Sequence, residues 1–348
     1  MSRQKPRVPW IVSGALVALV VTLTAGPDRA APDGPIVIKM ATVIPEGSSW
    51  HQIMREMGEK WKKAPGGGVT LRIYAGGVLG DEPSAVSKMR IKQIQGAALS
   101  TEGLAQVDTS LRAFTIPMMF RSYEELDNVR EKLRPMLEKR LLEKGFVVLN
   151  WGDGGWVTFF SKKPILRPPD LRKLKLFVWE GDAPSLDIWK EGRFDPVPLA
   201  STEILTSLQT GLIEVVPTTP LLALSSQWFA LAPNMLELKW GPLLGATVIT
   251  KDAWDRIPEA ARPAILAAAT EAGDRLKAEI RKSNDEAVRV MKERGLKTQA
   301  VPPDVEAEWR KAAEEVYPRI RGKVVPADVF DEVTRAVQEY RKGQAPAK

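Results

Sequence analysis

The chain contains very few of the side chains that enzymes use as nucleophiles or metal ligands. It has no cysteine, and His51 is its only histidine. Zinc sites built from cysteines or from several histidines are therefore excluded. A Ser-His-Asp triad would need His51 itself, and no Gly-x-Ser-x-Gly segment accompanies it. Because His51 follows Trp50 at the start of an expected helix, we interpret it as a capping or exposed residue. We predict no catalytic residue, metal or cofactor.

Three carboxylates leave one catalytic alternative open. Asp153, Glu180 and Asp182 lie near the expected cleft, and paired carboxylates can hydrolyse glycosidic bonds. Carboxylates in loops more commonly stay solvated or cap helices, so a hydrolase is only an alternative. The glycine segments GDGGW and AGGVLGD lack the spacing of phosphate-binding loops, so nucleotide binding is not expected.

The basic charge of the chain does not indicate nucleic-acid binding. The formal net charge is +7. Lysine and arginine alternate with acidic residues in segments such as EKWKK and EIRKSNDEAVRVMKER, a pattern typical of solvated helix faces. A protein that follows a phosphate backbone would instead concentrate its positive charge along one stripe. No nucleic-acid partner is therefore expected.

The amino terminus has the pattern of a secretory signal peptide over residues 1–25. Arg3, Lys5 and Arg7 precede an apolar run from Ile11 to Ala25. The run is about 15 residues long, short of the roughly 20 that a membrane-spanning helix needs. Export to the periplasm is predicted, while the cleavage position and an uncleaved anchor are left open. Loss of the three basic residues lowers the formal net charge from +7 to +4.

The length of 348 residues favours two lobes over one hydrophobic core. From Ile36, apolar strand patterns and amphipathic helix patterns alternate, which is typical of a parallel α/β sheet. Ligands of such sheets bind beyond the carboxyl ends of the strands. Loops at 45–50, 76–83 and 100–103 are therefore expected to line a cleft.

Two features predict how the lobes are joined. The segment FVVLNWGDGGWVTFFSKKPI is too long for one strand of a small lobe, so it is expected to cross between lobes, with LLGATVITKDAW as the return strand. Apolar residues recur at steps of three and four from Pro263 to Arg294, which predicts one helix that ends at Gly295. At 1.5 Å per residue this helix would be about 48 Å long and would span both lobes.

Five segments in order carry a resemblance to a known family. They are LRIYAGGVLGDEPSAVSKM, FTIPMMF, KKPILRPPDLRKLKLFV, STEILTSLQTGLIEVVPTTP and GATVITKDAWDRIPEAARPAILAAATEA. Their order and spacing resemble the substrate-binding proteins of tripartite ATP-independent periplasmic (TRAP) transporters, the DctP-like group. The resemblance covers about residues 36–300. It implies two α/β lobes, with crossing strands and a long helix, that close around a small organic solute and deliver it to membrane permease subunits.

The chain departs from this family at the residues that hold organic acids. Relatives that carry such acids place an arginine after the DL-x-GLK segment, where its planar group pairs with the solute carboxylate. The corresponding residue here is Phe177, and a second arginine position aligns with Trp156 or its immediate neighbour. An apolar or aromatic solute is therefore predicted. Lys175 shares a strand face with Phe177, and Arg112, Arg121 or Lys162 are left open as alternative cations.

The predicted binding residues are aromatic or hydroxyl side chains near expected strand ends or in the crossing strand. Core packing is the competing interpretation for each aromatic residue, and a local turn is the competing interpretation for the threonines. The predicted ligand-binding set is Trp50, Ser100, Thr101, Trp151, Trp156, Phe177, Trp179, Thr218, Thr219 and Trp228.

The resemblance and the residues together predict a non-enzymatic periplasmic solute receptor of a TRAP-type transporter. A periplasmic sensory or accessory binding protein is the alternative. The first lobe is predicted to comprise residues 34–155 and 246–285. The second is predicted to comprise residues 156–245 and 286–343.

Overall fold

The structure is a computed structural model that describes Met1, residues 36–66 and residues 68–344. Apart from Met1, the predicted signal peptide at 1–25 lies outside the described residues. In the part of the chain that is described, no helix combines the length and the apolar character needed to cross a membrane.

The described residues form nine strands, two of which are much longer than the rest. The strands are β1 (Ile36–Ala41), β2 (Val69–Tyr74), β3 (Gly96–Ser100), β4 (Phe146–Ser161), β5 (Lys175–Trp179), β6 (Asp195–Leu199), β7 (Val215–Thr218), β8 (Asn234–Thr250) and β9 (Lys297–Gln299).

Helices of very different lengths separate these strands. They are α1 (Ser49–Lys62), α2 (Glu82–Arg90), α3 (Thr101–Ala105), α4 (Tyr123–Glu143), α5 (Pro168–Leu171), α6 (Ala183–Glu191), α7 (Ile204–Thr210), α8 (Pro220–Ser225), α9 (Lys251–Arg256), α10 (Arg262–Glu293), α11 (Pro303–Lys323) and α12 (Ala327–Gln344). Short 3₁₀ helices lie at Thr109–Thr115, Ser201–Glu203 and Trp228–Ala230.

The strands form one mixed sheet in the order β2-β1-β3-β8-β4-β7-β5-β6, with β9 beside β8. We call β1 to β3 with their helices the first lobe, and β5 to β7 with theirs the second lobe. Pairing within each lobe is parallel, as expected from the alternation of strands and helices. The sheet as a whole is not parallel, because β8 runs antiparallel to β3 and β4 runs antiparallel to β7.

The two long strands connect the lobes, which confirms the predicted crossing. β4 pairs with β8 from Phe146 opposite Thr250 to Ser161 opposite Asn234. The register shifts three times along this ladder, once between Asp153 and Gly155. Such bulges bend and twist a strand locally. At Gly155, φ is +102°, and a Cβ atom would lie 2.3 Å from the Asn284 side chain, so glycine is required there.

The long helix is α10, whose bounds differ by one residue at each end from the predicted ones. Its buried residues Ala272 and Leu276 pack into a first-lobe core, whereas Ala287 and Met291 pack into a second-lobe core. The helix is followed by Gly295 with φ of +99°. The expectation that one helix spans both lobes is therefore confirmed.

Helix α12 lies in a different lobe from the one predicted for residues 286–343. Its apolar residues Val329 and Val333 pack in the same first-lobe core as Leu126 and Leu133 of α4. The apolar face of an amphipathic helix predicts that this face is buried. The pattern does not indicate which lobe the helix packs against. The other predicted lobe boundaries stay predictions.

A buried group of charges holds α4, β4 and α10 together where the lobes meet. Asp153 accepts hydrogen bonds from Arg130 at 2.9 Å and from Arg281 at 2.6 Å. Arg281 also makes a two-pronged pair with Asp127, at 2.7 and 3.0 Å, and its guanidinium lies 4.0 Å from the centre of the Tyr123 ring. Because Asp153 is almost fully buried, it compensates two positive charges that water reaches poorly.

We expect Asp153→Asn to lower the free energy of unfolding by about 3 kcal/mol, since it leaves two arginines without their shared buried carboxylate. Asp255→Asn is the matched control, because Asp255 is an exposed carboxylate paired with Lys251 on the surface of α9. Urea unfolding followed by circular dichroism measures both variants. Equal midpoints for the two variants would contradict the role assigned to Asp153.

Candidate functional site

A cavity of about 640 Å³ lies between the lobes, at the carboxyl ends of β5 and β7. The first lobe contributes residues from the loop after β1, the turn after β2, α3 and the 3₁₀ helix at Thr109–Thr115. The second lobe contributes the end of β5, α6 and the end of β7, and α11 covers one side. The wall is mostly apolar, which is typical of a small-molecule site.

One wall of the cavity is aromatic. Phe177 and Trp179 both line it from β5, with ring centroids 5.7 Å apart in an edge-to-face arrangement. Trp228 lines the same cavity from the second lobe. Phe177 is buried because its ring also packs in the second-lobe core beside Ile204. The end of β5 therefore presents aromatic surface to the space between the lobes, although solute binding by these residues stays a prediction.

A second group of aromatic residues was missed by the sequence analysis. Trp189 stacks on Trp240 at 5.7 Å, and Trp240 meets Trp309 edge to face at 6.0 Å. Phe194 packs edge to face on Trp189 at 5.0 Å. All four residues line the cavity. They come from α6, the loop after it, β8 and α11, so no local pattern in the sequence brings them together.

Among the described residues, Arg112 is a buried cation in the cavity wall, and Arg172 is an exposed one. The Nη1 of Arg112 forms a salt bridge with Asp182 at 2.8 Å, and its Nε donates a hydrogen bond to Glu102 at 3.3 Å. Arg112 and Glu102 belong to the first lobe, whereas Asp182 follows β5 in the second lobe. All three residues line the cavity and are largely buried. The three side chains therefore form an ionic link across the cleft.

Burial raises the pKa of Glu102 to about 7. Loss of hydration is the largest cause, since it disfavours the charged carboxylate, and the nearby carboxylates Asp182 and Glu82 act in the same direction. Arg112 opposes the shift without cancelling it. Near neutral pH, Glu102 thus exchanges between its protonated and ionised forms, and the protonated form is a hydrogen-bond donor.

Hydroxyl groups complete the polar side of the cavity. Thr101 is fully buried, and within the described residues its hydroxyl has no hydrogen-bond partner. Ser201 carries a second buried hydroxyl for which the described residues supply no partner. Thr218 lines the cavity at the end of β7. Thr101 and Thr218 were both predicted, whereas Ser201 was not.

Five of the predicted binding residues lie away from the cavity wall, each with another contact. Trp151 donates its indole N–H to Glu138 at 2.8 Å, Trp156 packs on Tyr123 with centroids 5.4 Å apart, and Ser100 donates to Glu82 at 2.6 Å. The five are Trp50, Ser100, Trp151, Trp156 and Thr219. Trp50 packs against a first-lobe core, and Thr219 is buried at the start of α8.

Trp156 was expected to face the cleft because the strand crosses there. The bulge between Asp153 and Gly155 changes which face of β4 each later side chain occupies, since one extra residue reverses the alternation. The Trp156 ring consequently packs in the first-lobe core, with Lys239 over it at 5.4 Å.

The remaining candidate groups do not converge in the cavity. Lys175 is exposed and lies outside its lining, as do Arg121 and Lys162. Glu180 is exposed, and Asp153 is paired with two arginines, so the suggested hydrolytic carboxylates do not flank one point.

His51 is buried rather than exposed. Its Nδ1 accepts a hydrogen bond from the Gly47 N–H at 3.1 Å, so it closes the turn before α1. Within residues 36–66 and 68–344, no cluster of three or more histidine and carboxylate side chains is suited to hold a metal ion.

A family comparison agrees with this architecture. Residues 40–323 match the model of the bacterial extracellular solute-binding proteins, family 7, also called DctP. The chain belongs to this family. The match covers both lobes and most of the described residues, so the resemblance to TRAP solute-binding proteins is confirmed, and members of this family are periplasmic binding proteins.

Curated relatives share this family over most of their length. The C4-dicarboxylate-binding periplasmic protein DctP of Rhodobacter capsulatus is 24% identical over 284 residues, which cover 81% of this chain and 84% of the relative. The 2,3-diketo-L-gulonate-binding periplasmic protein YiaO of Escherichia coli K12 is 23% identical, covering 71% of this chain and 76% of the relative.

Solved structures show the same two-lobe fold. A TRAP periplasmic solute-binding protein from Ralstonia eutropha H16, with bound (S)-2-acetolactate, superimposes with a TM-score of 0.80 at 21% identity, covering 87% of this chain and 99% of that one. One from Citrobacter koseri, with bound D-glucuronate, gives a TM-score of 0.78 at 25% identity and the same coverage.

Between pH 5 and pH 8, we expect the free energy of unfolding of the unaltered protein to fall. The fall should be about 1 to 3 kcal/mol larger than that of the Glu102→Gln variant. The folded state keeps a proton on Glu102 up to pH about 7, whereas the unfolded state loses it near the ordinary pKa of 4.5. Between these values the folded state binds more protons, so raising the pH favours unfolding.

Urea unfolding at several pH values measures this difference. Glu46→Gln is the control, because Glu46 is an exposed carboxylate on the same cavity and should leave the pH dependence unchanged. If the protein and Glu102→Gln lost the same stability over this range, the raised pKa of Glu102 would be disproved.

Proposed function

We propose that this protein is the periplasmic receptor of a TRAP-type transporter, which captures a small organic solute between its lobes and delivers it to membrane permease subunits. The observation that carries this proposal is the cavity between the lobes, with aromatic rings on one side and a buried polar cluster on the other. Membership of a solute-binding family supports a non-enzymatic role. The predicted signal peptide supports export to the periplasm.

The solute is proposed to have an apolar or aromatic part. Phe177, Trp179 and Trp228 present ring surface to the cavity, and Trp189 and Trp240 extend it. Burial of apolar solute surface against such rings contributes about 25 cal/mol for each Å² removed from water. Flat rings also select flat or hydrophobic groups by stacking.

A carboxylate solute is the second candidate, and Arg112 is the observation that favours it. A guanidinium binds a carboxylate through two parallel hydrogen bonds. The structures from Ralstonia eutropha and Citrobacter koseri hold the carboxylates acetolactate and glucuronate, and a carboxylate seated here would use Arg112 in place of the absent family arginines.

Native mass spectrometry of the protein purified from the periplasm tests capture, and we expect a bound small molecule that is lost on denaturation. Addition of that molecule to stripped protein should reduce the radius of gyration in small-angle X-ray scattering, because the lobes close around it. A protein that carries no solute and does not contract with any member of a broad metabolite library would refute the proposed function.

Trp179→Leu should weaken binding of the co-purified solute by about tenfold, which corresponds to about 1.4 kcal/mol of lost ring contact. Trp254→Leu is the matched control, since Trp254 is a half-buried tryptophan on α9 outside the cavity lining. Isothermal titration calorimetry measures both affinities. Equal losses of affinity in the two variants would show that Trp179 does not contact the solute.

A further inference from the structure

The side chain of Asp182 is fixed at the point where it meets Arg112. Its Oδ1 forms a salt bridge with Arg112 Nη1 at 2.8 Å and accepts a hydrogen bond from the backbone N–H of Ser185 at 3.2 Å, so the same oxygen caps α6. A side-chain oxygen at this position accepts one of the backbone N–H groups that the first turn of a helix leaves free. With 6% of its side chain exposed, Asp182 is buried and held in one orientation.

The Asp182 side chain occupies a place that a solute carboxylate would take on Arg112. Glu102 approaches the same guanidinium from the first lobe at 3.3 Å. An incoming carboxylate would bring a third acidic group to one buried cation, and like charges at short range oppose binding. The guanidinium is thus already compensated by the protein itself.

Other charges of the cavity add to this effect. Glu46 and Glu315 also belong to its lining, whereas Arg172 is the only further cation that the described residues place there. The Nε of Arg172 donates to the Gly192 carbonyl at 3.0 Å, and its guanidinium lies 5.3 Å from the Phe194 ring centre. The lining therefore carries more acidic than basic groups, which disfavours anions.

The buried polar atoms of the cavity lining that lack a partner within the described residues are both hydroxyl oxygens. The Thr101 hydroxyl is fully buried, lines the cavity next to Glu102, and has no partner within the described residues. The Ser201 hydroxyl is in the same situation. Buried hydroxyls without partners are unfavourable, so a ligand that supplies the hydrogen bond gains affinity there. A solute hydroxyl, carbonyl or amide meets this requirement without adding charge.

We propose that Asp182 is a specificity-determining residue that takes the place of a solute carboxylate on Arg112, so that the protein selects solutes whose polar end is uncharged. This inference rests on the proposed function and narrows its solute to a neutral molecule with a hydroxyl, carbonyl or amide group at the Thr101 end. The aromatic or apolar part lies against Phe177 and Trp179.

The experiment compares Asp182→Asn with the unaltered protein on probes that differ only in charge. The pairs are benzoate with benzamide, phenylacetate with phenylacetamide, and succinate with succinamide, each titrated by calorimetry up to millimolar concentration. Asparagine caps helices as well as aspartate does, so α6 is retained. Asp182→Ser, which also caps the helix and lacks the charge, is the second variant.

We expect both variants to raise the ratio of carboxylate affinity to amide affinity about tenfold or more. The reason is that Arg112 is then free to form a charge-assisted pair with the carboxylate probe. Asp187→Asn is the matched control, because Asp187 is an exposed aspartate on the same helix outside the cavity lining, and it should change no ratio. Arg112→Met introduced together with Asp182→Asn should abolish the gain.

Two results would overturn the inference. One is an unaltered protein that already prefers the carboxylate of each pair through Arg112. The other is a folded Asp182→Asn or Asp182→Ser protein whose ratio of carboxylate affinity to amide affinity does not change, including a protein that binds no carboxylate. Either result leaves capture and closure with the co-purified solute intact, so failure of the proposed function is recognised separately, by the absence of a carried solute.

Discussion

The hydrogen-bonded ladder between β4 and β8 is the constraint on which the rest of the structure depends. These two strands run through both lobes, and no other pair of strands among the described residues does so. Because both lobes share them, neither lobe has a complete sheet of its own. The lobes are therefore connected by main-chain hydrogen bonds rather than by a flexible linker, and the cavity lies where this ladder shifts its register.

The cavity combines an aromatic surface with a group of buried charges, and only the aromatic surface also contributes to a hydrophobic core. Rings at the end of β5 are partly buried because they also belong to the second-lobe core, so the same side chains stabilise the fold and form the wall. The charged link between Arg112, Glu102 and Asp182 has no such core function. Burial of ionic groups costs desolvation free energy. Because the groups that carry this cost line the cavity, they point to a role in selecting the solute more than in stabilising the fold.

Much of the fold could be predicted from sequence because it depends on repeating patterns. The length of α10 followed from apolar residues at steps of three and four, and the crossing of β4 followed from a strand too long for one lobe. Phe177 was expected at the cleft because it aligns with a family arginine position, and Trp179 lies at the end of the same strand. By contrast, Trp156 was misplaced because alignment with a second arginine position takes no account of the bulge before it, and a bulge leaves little trace in residue types.

Contacts between distant segments could not be predicted in the same way. Arg112 was named only as one of several cations that could reach the cleft, since its position depends on how a 3₁₀ helix packs against the second lobe. The Trp189, Trp240 and Trp309 group likewise combines three elements far apart in sequence. Such clusters depend on tertiary packing, which a single sequence does not encode in local periodicity.

Helix α10 is anchored in the cores of both lobes, yet none of its residues belongs to the described cavity lining. Because the same helix packs in both cores, any movement of one lobe relative to the other has to be accommodated within α10 as well as in the crossing strands.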